Sequence, residues 1–333
     1  MYHSSFLPRG YLLNNQYVID NILGAGGFGV TYLGIDKNSG EKFAIKEFLP
    51  NQYSYRDSNK ITITPNNSKQ EREIYYTLLK RFKEEAQLLK ELKHKNVVKV
   101  KEYFEINNSA YIVMSYIHGE DLNSYLEGKK RLREQEIREL IIPVLDALSE
   151  VHAKGYLHRD ISPDNIYMRE NSIPMLIDFG AARFSMGEKS GMLTAIAKAG
   201  YSPPEQYTAN REQFFSSDLY AISAVIYRMI TGVKPVDAVA RQMAMVGRES
   251  SLMINLEKEY NGRYSQNFLQ AVMKGLSIEQ SKRFQNIKTF RKGLNNSDTP
   301  PNSNPKSSIQ IIHIIIWGLT SILMVLTIIG LVE

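Results

Sequence analysis

From Tyr17 to about Ile117, apolar residues alternate with polar ones over short runs rich in β-branched and aromatic side chains; beyond that point the apolar spacing turns helical. The runs QYVIDNIL, VTYLGI and KFAIKEF read as three strands, the first two joined by glycine-rich LGAGGFG and the second two by the turn sequence KNSG. One helix interrupts this β-rich part. In LLKRFKEEAQLLKEL, Leu78, Phe82, Leu89 and Leu92 recur at helical spacing, and Glu85 falls on the same stripe, whereas Glu84, one step round, reads as solvated surface. A carboxylate among apolar side chains demands a cationic partner, since an unpaired buried charge is costly. A β-rich part followed by an α-rich part predicts an α+β fold of two unequal lobes, about 11–116 and about 117–294, after an N-terminal extension over 1–10.

The long stretch from Pro50 to Glu73 separates the third strand from the helix; KITIT within it is strand-like and NNSKQERE reads as a turn into a helix start, so a small β excursion on the first lobe is expected. At the far end the pattern changes. LNNSDTPPNSNPKSSIQ is too rich in Pro, Asn and Ser to pack, so 295–310 reads as a polar linker. Residues 311–332 then run 22 positions without a charge when His313 is neutral, a length that spans roughly 33 Å as a helix, enough to cross a bilayer. The expectation is a single C-terminal transmembrane helix. Lys288, Arg291, Lys292 and Lys306 on its N-terminal side favour cytoplasmic placement of the preceding domain, and with only Glu333 beyond the segment no sensor domain is expected on the other side.

The 333 residues contain 43% hydrophobic positions, enough for a full core, and no cysteine, which excludes disulfides, thiol nucleophiles and cysteine metal cages. The net charge of +6 is spread along the chain without a block of like charges, so it reads as a mildly basic solvated surface and not as a nucleic-acid stripe. MYHSSFLPRG lacks the apolar core of a signal peptide.

Gly24, Gly26 and Gly29 form a GxGxxG pattern, which lets backbone N–H groups approach phosphate oxygens. A dinucleotide-binding fold would continue into a helix, but here a strand follows, so the glycines sit in a β-hairpin and favour a flap over nucleotide phosphates. Lys46 on the third strand is, taken alone, either a strand-edge surface lysine or a phosphate clamp; with Glu85 in need of a cation, a Lys–Glu pair that aims the lysine at phosphates is the better reading.

Eight segments in order resemble the motifs of eukaryotic-type (Hanks-type) serine/threonine protein kinases of the sort bacteria encode, over about residues 11–294: GAGGFG, AIK, FKEEAQLLKELKHKNVV, YIVMSYIHGEDL, HRDISPDN, IDFG, GYSPPEQY and SDLYAISAVIYRMITG. The resemblance implies a bilobal kinase fold and ATP-dependent phosphorylation of Ser or Thr on protein substrates, with Mg²⁺ or, as an alternative, Mn²⁺. It implies that Asp160 orients the substrate hydroxyl and takes its proton, that Asn165 and Asp178 hold the metal, and that Glu85 pairs with Lys46. Gly24 to Gly29, including Ala25, Gly27 and Phe28, would cover the phosphates. Leu23, Thr31, Ala44 and Met114 would line the adenine pocket, with backbone groups of Ser115 and Ile117 at the hinge. Glu205 and Arg283 would form a structural pair, and Asp218 would anchor the catalytic-loop backbone from a central helix whose Leu219 and Ala221 are core.

Two departures stand out. Ser162 occupies the position of a lysine that in the family contacts the γ-phosphate, and Lys198 occupies that of a threonine before the GY motif. The changes are complementary: Lys198 reaches toward the γ-phosphate and Asp160 while Ser162 makes room, the alternative being a solvated Lys198. Thr31 in place of valine and Ser115 in place of glutamate are tolerable, because the roof asks for a β-branched shape and hinge bonds come from backbone. Arg159 beside Asp160 implies ordering by an activation-segment phosphate, with Thr194, Ser190 and Ser185 as candidates. Trans-autophosphorylation would call for a dimer. A catalytically weak or silent nucleotide-binding scaffold, which would be expected to lack Lys46, Asp160, Asn165 or Asp178, is the competing reading. A small-molecule phosphotransferase, which usually lacks the segment ending in PPE, is a third.

Overall fold

A computed structural model describes residues 6–129, 131–170, 172–179, 183–184, 197–208, 212–247 and 252–295. The predicted linker and membrane segment (295–310 and 311–332), save Asn295, and all three phosphosite candidates lie outside the described residues. Among the described residues no helix is long and apolar enough to cross a membrane.

The first part folds as strands β1 (Leu12–Leu13), β2 (Tyr17–Gly26), β3 (Gly29–Asp36) and β4 (Lys42–Phe48), a hairpin of β5 (Ser54–Arg56) and β6 (Ile63–Pro65), helix α1 (Lys69–Glu91), and strands β7 (Val100–Ile106) and β8 (Ser109–Ser115). One antiparallel sheet in the order β1-β2-β3-β4-β8-β7 carries α1 against it. The helix begins well before the apolar stripe, because Ser68 caps it: its Oγ accepts the Glu71 N–H at 3.1 Å, with Glu71 three residues on as in a capping box. Leu7 in the N-terminal extension is buried in this lobe's core, and its N–H donates to the Tyr32 hydroxyl at 3.1 Å.

The second part contains β9 (Gly119–Asp121), α2 (Leu122–Leu126), α3 (Glu134–Ala153), β10 (Tyr156–Leu157), β11 (Ile166–Arg169), β12 (Pro174–Leu176), β13 (Arg183–Phe184), α4 (Phe215–Thr231), α5 (Ala238–Val246), α6 (Leu256–Glu259), α7 (Gln266–Gly275) and α8 (Ile287–Asn295). Helix α4 is apolar nearly all round and buried on every face, as expected of an element at the centre of a helical lobe. Its C-terminus is closed by Gly232 at φ +81°, a left-handed position that a side chain would strain.

Strand β4 contributes to the first lobe's core and places a carboxylate inside it. Phe43, Ile45 and Glu47 point to the same face, and that face is core, so Glu47 is fully buried. Its Oε2 accepts from Tyr32 at 2.8 Å and pairs with Arg56 of β5, while Oε1 accepts from Tyr111 at 2.5 Å. The β5–β6 excursion thus brings the counter-ion for a buried carboxylate, and Arg56 also donates to the Ile61 carbonyl at 2.7 Å. Burial and the neighbouring carboxylate push both phenols' pKa values up.

Candidate active site

The opposite face of β4 looks into the cleft between the lobes. Cross-strand partners share a face, so the register Thr31↔Lys46 and Lys46↔Ile112, with Leu33↔Ala44 and Ala44↔Met114 two residues on, lines one wall with Thr31, Lys46, Ala44 and Met114. Leu23, at the entrance, is 44% exposed. Ser115 ends β8, and Ile117 follows in the connection between lobes. Above this wall the β2–β3 hairpin projects Gly24 to Gly29. A Cβ at Gly24, Gly26 or Gly27 would meet nothing within 4 Å, whereas one at Gly29 would lie 2.3 Å from the Glu47 carbonyl oxygen. Gly29 is therefore required by packing, and the other three leave the backbone open to the cleft.

Lys46 Nζ lies 2.9 Å from Glu85 Oε1 on α1 and 2.6 Å from Asp178 Oδ1 of the second lobe. Glu85 is 5% exposed, so the helix stripe does carry a buried carboxylate with a lysine opposite. Burial works against the ammonium charge, yet Asp178 and Glu85 outweigh it, and the Lys46 pKa is raised.

Across the cleft, the loop from His158 to Asn165 is clamped from below. Asp218 of α4 accepts the backbone N–H groups of His158 and Arg159 at 2.9 Å each and touches His152 Nε2 at 2.8 Å. Burial works to raise the Asp218 pKa, but the hydrogen bonds from His152 and from the Arg159 backbone N–H help to outweigh it, and the carboxyl is held below its ordinary value. Above the clamp Asn165 Nδ2 donates to the Asp160 carbonyl at 2.7 Å and to its carboxylate at 2.8 Å. Burial first, then the Asp178 charge, push the Asp160 pKa up to about 6 against the pull of Lys198, Asn165 and Lys46.

The Ile177 N–H donates to the Asn165 carbonyl at 3.0 Å, so the two loops bearing Asn165 and Asp178 are stitched together one residue from the second side chain. Both supply hard oxygen donors. Two such ligands, completed by water and phosphate oxygens, suit Mg²⁺ better than a cage built wholly of protein groups, and among the described residues no cluster of three His, Cys, Asp or Glu forms such a cage.

Lys198 and Ser162 also meet. Lys198 Nζ donates to Ser162 Oγ at 2.8 Å and pairs with Asp164, a residue the sequence reading passed over and which also accepts from Asn123. Ser162 thus binds Lys198 as well as leaving it space. Glu205 and Arg283 form a two-pronged buried pair at 2.6 and 3.0 Å, with Ser217 Oγ donating to the same carboxylate at 2.8 Å. Gln206 Nε2 ties this segment to the Arg159 carbonyl at 2.8 Å.

With this geometry in hand, the comparisons agree on kinship. The protein kinase domain family matches residues 17–294, and the chain belongs to it. Its bilobal fold, with a curled β-sheet N-lobe and a helical C-lobe, is that family's, and the family uses ATP with Mg²⁺. The chain is 34% identical over 235 residues to serine/threonine-protein kinase PknA of Nostoc sp., covering 67% of this chain and 38% of that protein. It is also 34% identical over 235 residues to serine/threonine-protein kinase C of Synechocystis sp., over 40% of that protein. It therefore spans well under half the length of these two relatives. Among solved structures, the apo form of PpkA-294 superposes with a TM-score of 0.74 at 32% identity, covering 87% of this chain and 100% of that one.

Proposed function

We propose that this chain is a serine/threonine protein kinase that transfers the γ-phosphate of ATP to hydroxyls on protein substrates. The observation that carries this reading is the assembly, across two lobes, of Lys46 with Glu85 and Asp178 opposite Asp160 with Asn165. Lys46, held by Glu85, neutralises α- and β-phosphate oxygens. The open glycines of the β2–β3 hairpin let backbone N–H groups cover the phosphates. The side wall of Ala44, Met114, Thr31 and Leu23 receives the base, and backbone groups of Ser115 and Ile117 bond its edge. Asn165 and Asp178 would hold Mg²⁺, which would offset charge on the phosphate oxygens.

Asp160, fixed by Asn165, accepts the substrate hydroxyl proton while that oxygen bonds the γ-phosphorus. The β–γ bridging bond breaks with its electron pair on the departing diphosphate. Polypeptide substrates are favoured by the PPE segment packed on α4 through Glu205 and Ser217. Residues 311–332 anchor the chain in a membrane with the kinase domain on the cytoplasmic side, and two chains meet to phosphorylate each other on Thr194, Ser190 or Ser185.

The test is transfer of radiolabelled phosphate from ATP by the full chain to itself and to a generic protein substrate, with and without Asp160→Asn. Metal-dependent transfer that falls by about 10² or more in the variant supports the reading. Transfer unaffected by the change, or none with Mg²⁺ or Mn²⁺, overturns it in favour of a silent nucleotide-binding scaffold. Removal of 311–332 should release the chain from the membrane fraction, and retention would refute the anchor.

A further inference from the structure

Phosphoryl transfer needs cations around the γ-phosphate, because charge accumulates there and the protein's contribution is largely positioning and electrostatic. Beside Asp160, the loop from His158 to Asn165 carries Asp164 and places the small hydroxyl of Ser162 where a cation would be useful. Lys46 is already engaged by Glu85 and Asp178. A further cation at this end of the cleft, Lys198, enters from a different segment.

Its backbone is fixed by a tight turn. The Lys198 N–H donates to Ser202 Oγ at 2.8 Å, and its carbonyl accepts from the Tyr201 and Ser202 N–H groups at 2.9 Å each. Gly200 within the turn stands at φ +89°, and a Cβ there would lie 2.6 Å from the Pro235 carbonyl oxygen, so the backbone conformation excludes larger residues. The side chain then leans onto the catalytic loop, with Ser162 Oγ at 2.8 Å and Asp164 as counter-ion. Lys198 is 36% exposed and Asp164 46%, an open pairing that an incoming phosphate can displace at small cost.

We infer that Lys198 is a catalytic residue whose ammonium binds the γ-phosphate from the 197–202 turn, and that Asp164 and Ser162 are positioning residues that hold it ready beside Asp160. This deepens the kinase reading and rests on it. The cation arrives from a segment outside the catalytic loop, so ordering of the 197–202 turn and assembly of the phosphate site become one event.

Titration calorimetry of the full chain with Mg²⁺ and either ADP or a non-hydrolysable ATP analogue reads the contact without turnover. Lys198→Ala should weaken the triphosphate analogue by about tenfold and leave ADP unchanged. In the transfer assay the same variant should lose about 10² to 10³ in kcat. The paired exchange Ser162→Lys with Lys198→Thr, which moves the cation onto the loop, should restore most of that loss, and a merely structural lysine would not be rescued in this way. Asp164→Asn should lower kcat in the wild-type background and have no further effect in the exchanged one. If Lys198→Ala proves unstable, Lys198→Met, which keeps the apolar stem, takes its place. Wild-type kcat with wild-type triphosphate preference in the variant, or an exchanged pair no better than the single change, overturns the inference. Should the wild-type chain transfer no phosphate at all, the kinase reading fails, while the calorimetry still decides whether Lys198 meets the γ-phosphate.

Discussion

Two ion-paired lysines flank Asp160, one from each lobe, and they differ chiefly in burial. Lys46 is 15% exposed and faces Glu85 at 5%, while Lys198 is 36% exposed and faces Asp164 at 46%. Lys46 is fixed by strand register on one side and a 23-residue helix on the other, so its position and the closure of α1 onto the sheet are the same structural fact. Lys198 is fixed through a turn and a bond to Ser162, and water competes for its charged partner Asp164. A buried pair is costly to break because the remaining charge is stranded, whereas a rim pair exchanges partners readily. The contrast suits the proposed division of labour, in which the first lysine serves architecture and phosphate positioning together and the second meets the reacting phosphate.

The most disruptive way to probe this contrast is Lys46→Met. It should lower transfer by about 10³ or more, and strand Glu85 at a cost of about 3 to 5 kcal/mol in urea unfolding. Adding Glu85→Leu should return most of the stability and none of the activity, separating the pairing from the chemistry; recovery of neither would break the comparison. Arg283→Ala supplies a purely structural reference. Glu205 loses both prongs of its partner, so a loss of about 3 to 5 kcal/mol is expected, while kcat of the protein still folded at low temperature should be retained. Lys198→Ala should change unfolding free energy by under about 1 kcal/mol; a loss as large as that of Lys46→Met would place Lys198 with the structural pairs. The smallest effect is ionic. Near 1 M salt, where the screening length is about 3 Å, the kcat difference caused by Asp164→Asn should shrink, while the stability difference caused by Lys46→Met persists.

Much of this was legible along the chain. The glycine hairpin, the three strands and the helix stripe holding Glu85 follow from short-range periodicity, and the buried Glu85 with Lys46 opposite follows from the need to pair a charge on an apolar face. Other parts were missed although a signal was present. Glu47 shares the strand face of Phe43 and Ile45, so alternation alone places it in the core, and Arg56 then becomes the cation to look for in the 50–66 excursion. The small β excursion expected around KITIT is the β5–β6 hairpin, but KITIT held only the start of β6 and the position of β5 was not given, since a three-residue strand has too few positions for alternation to register. Asp164 carried no signal, being one polar residue in a polar loop.

Sequence by itself determined the local conformations, the order of the motifs and hence the family, because each depends on residues a few positions apart whose sterics and polarity act directly on the backbone. Only the tertiary structure decided which charges meet. The partners of Lys46 lie 39 and 132 positions away, Ser162 and Lys198 are 36 apart, and Glu205 and Arg283 are 78 apart. At such separations a chain offers many acids to each lysine, and the selection among them is made by packing: the lobes bury one set of pairs, leave another at the rim, and thereby give chemically equal lysines unequal surroundings.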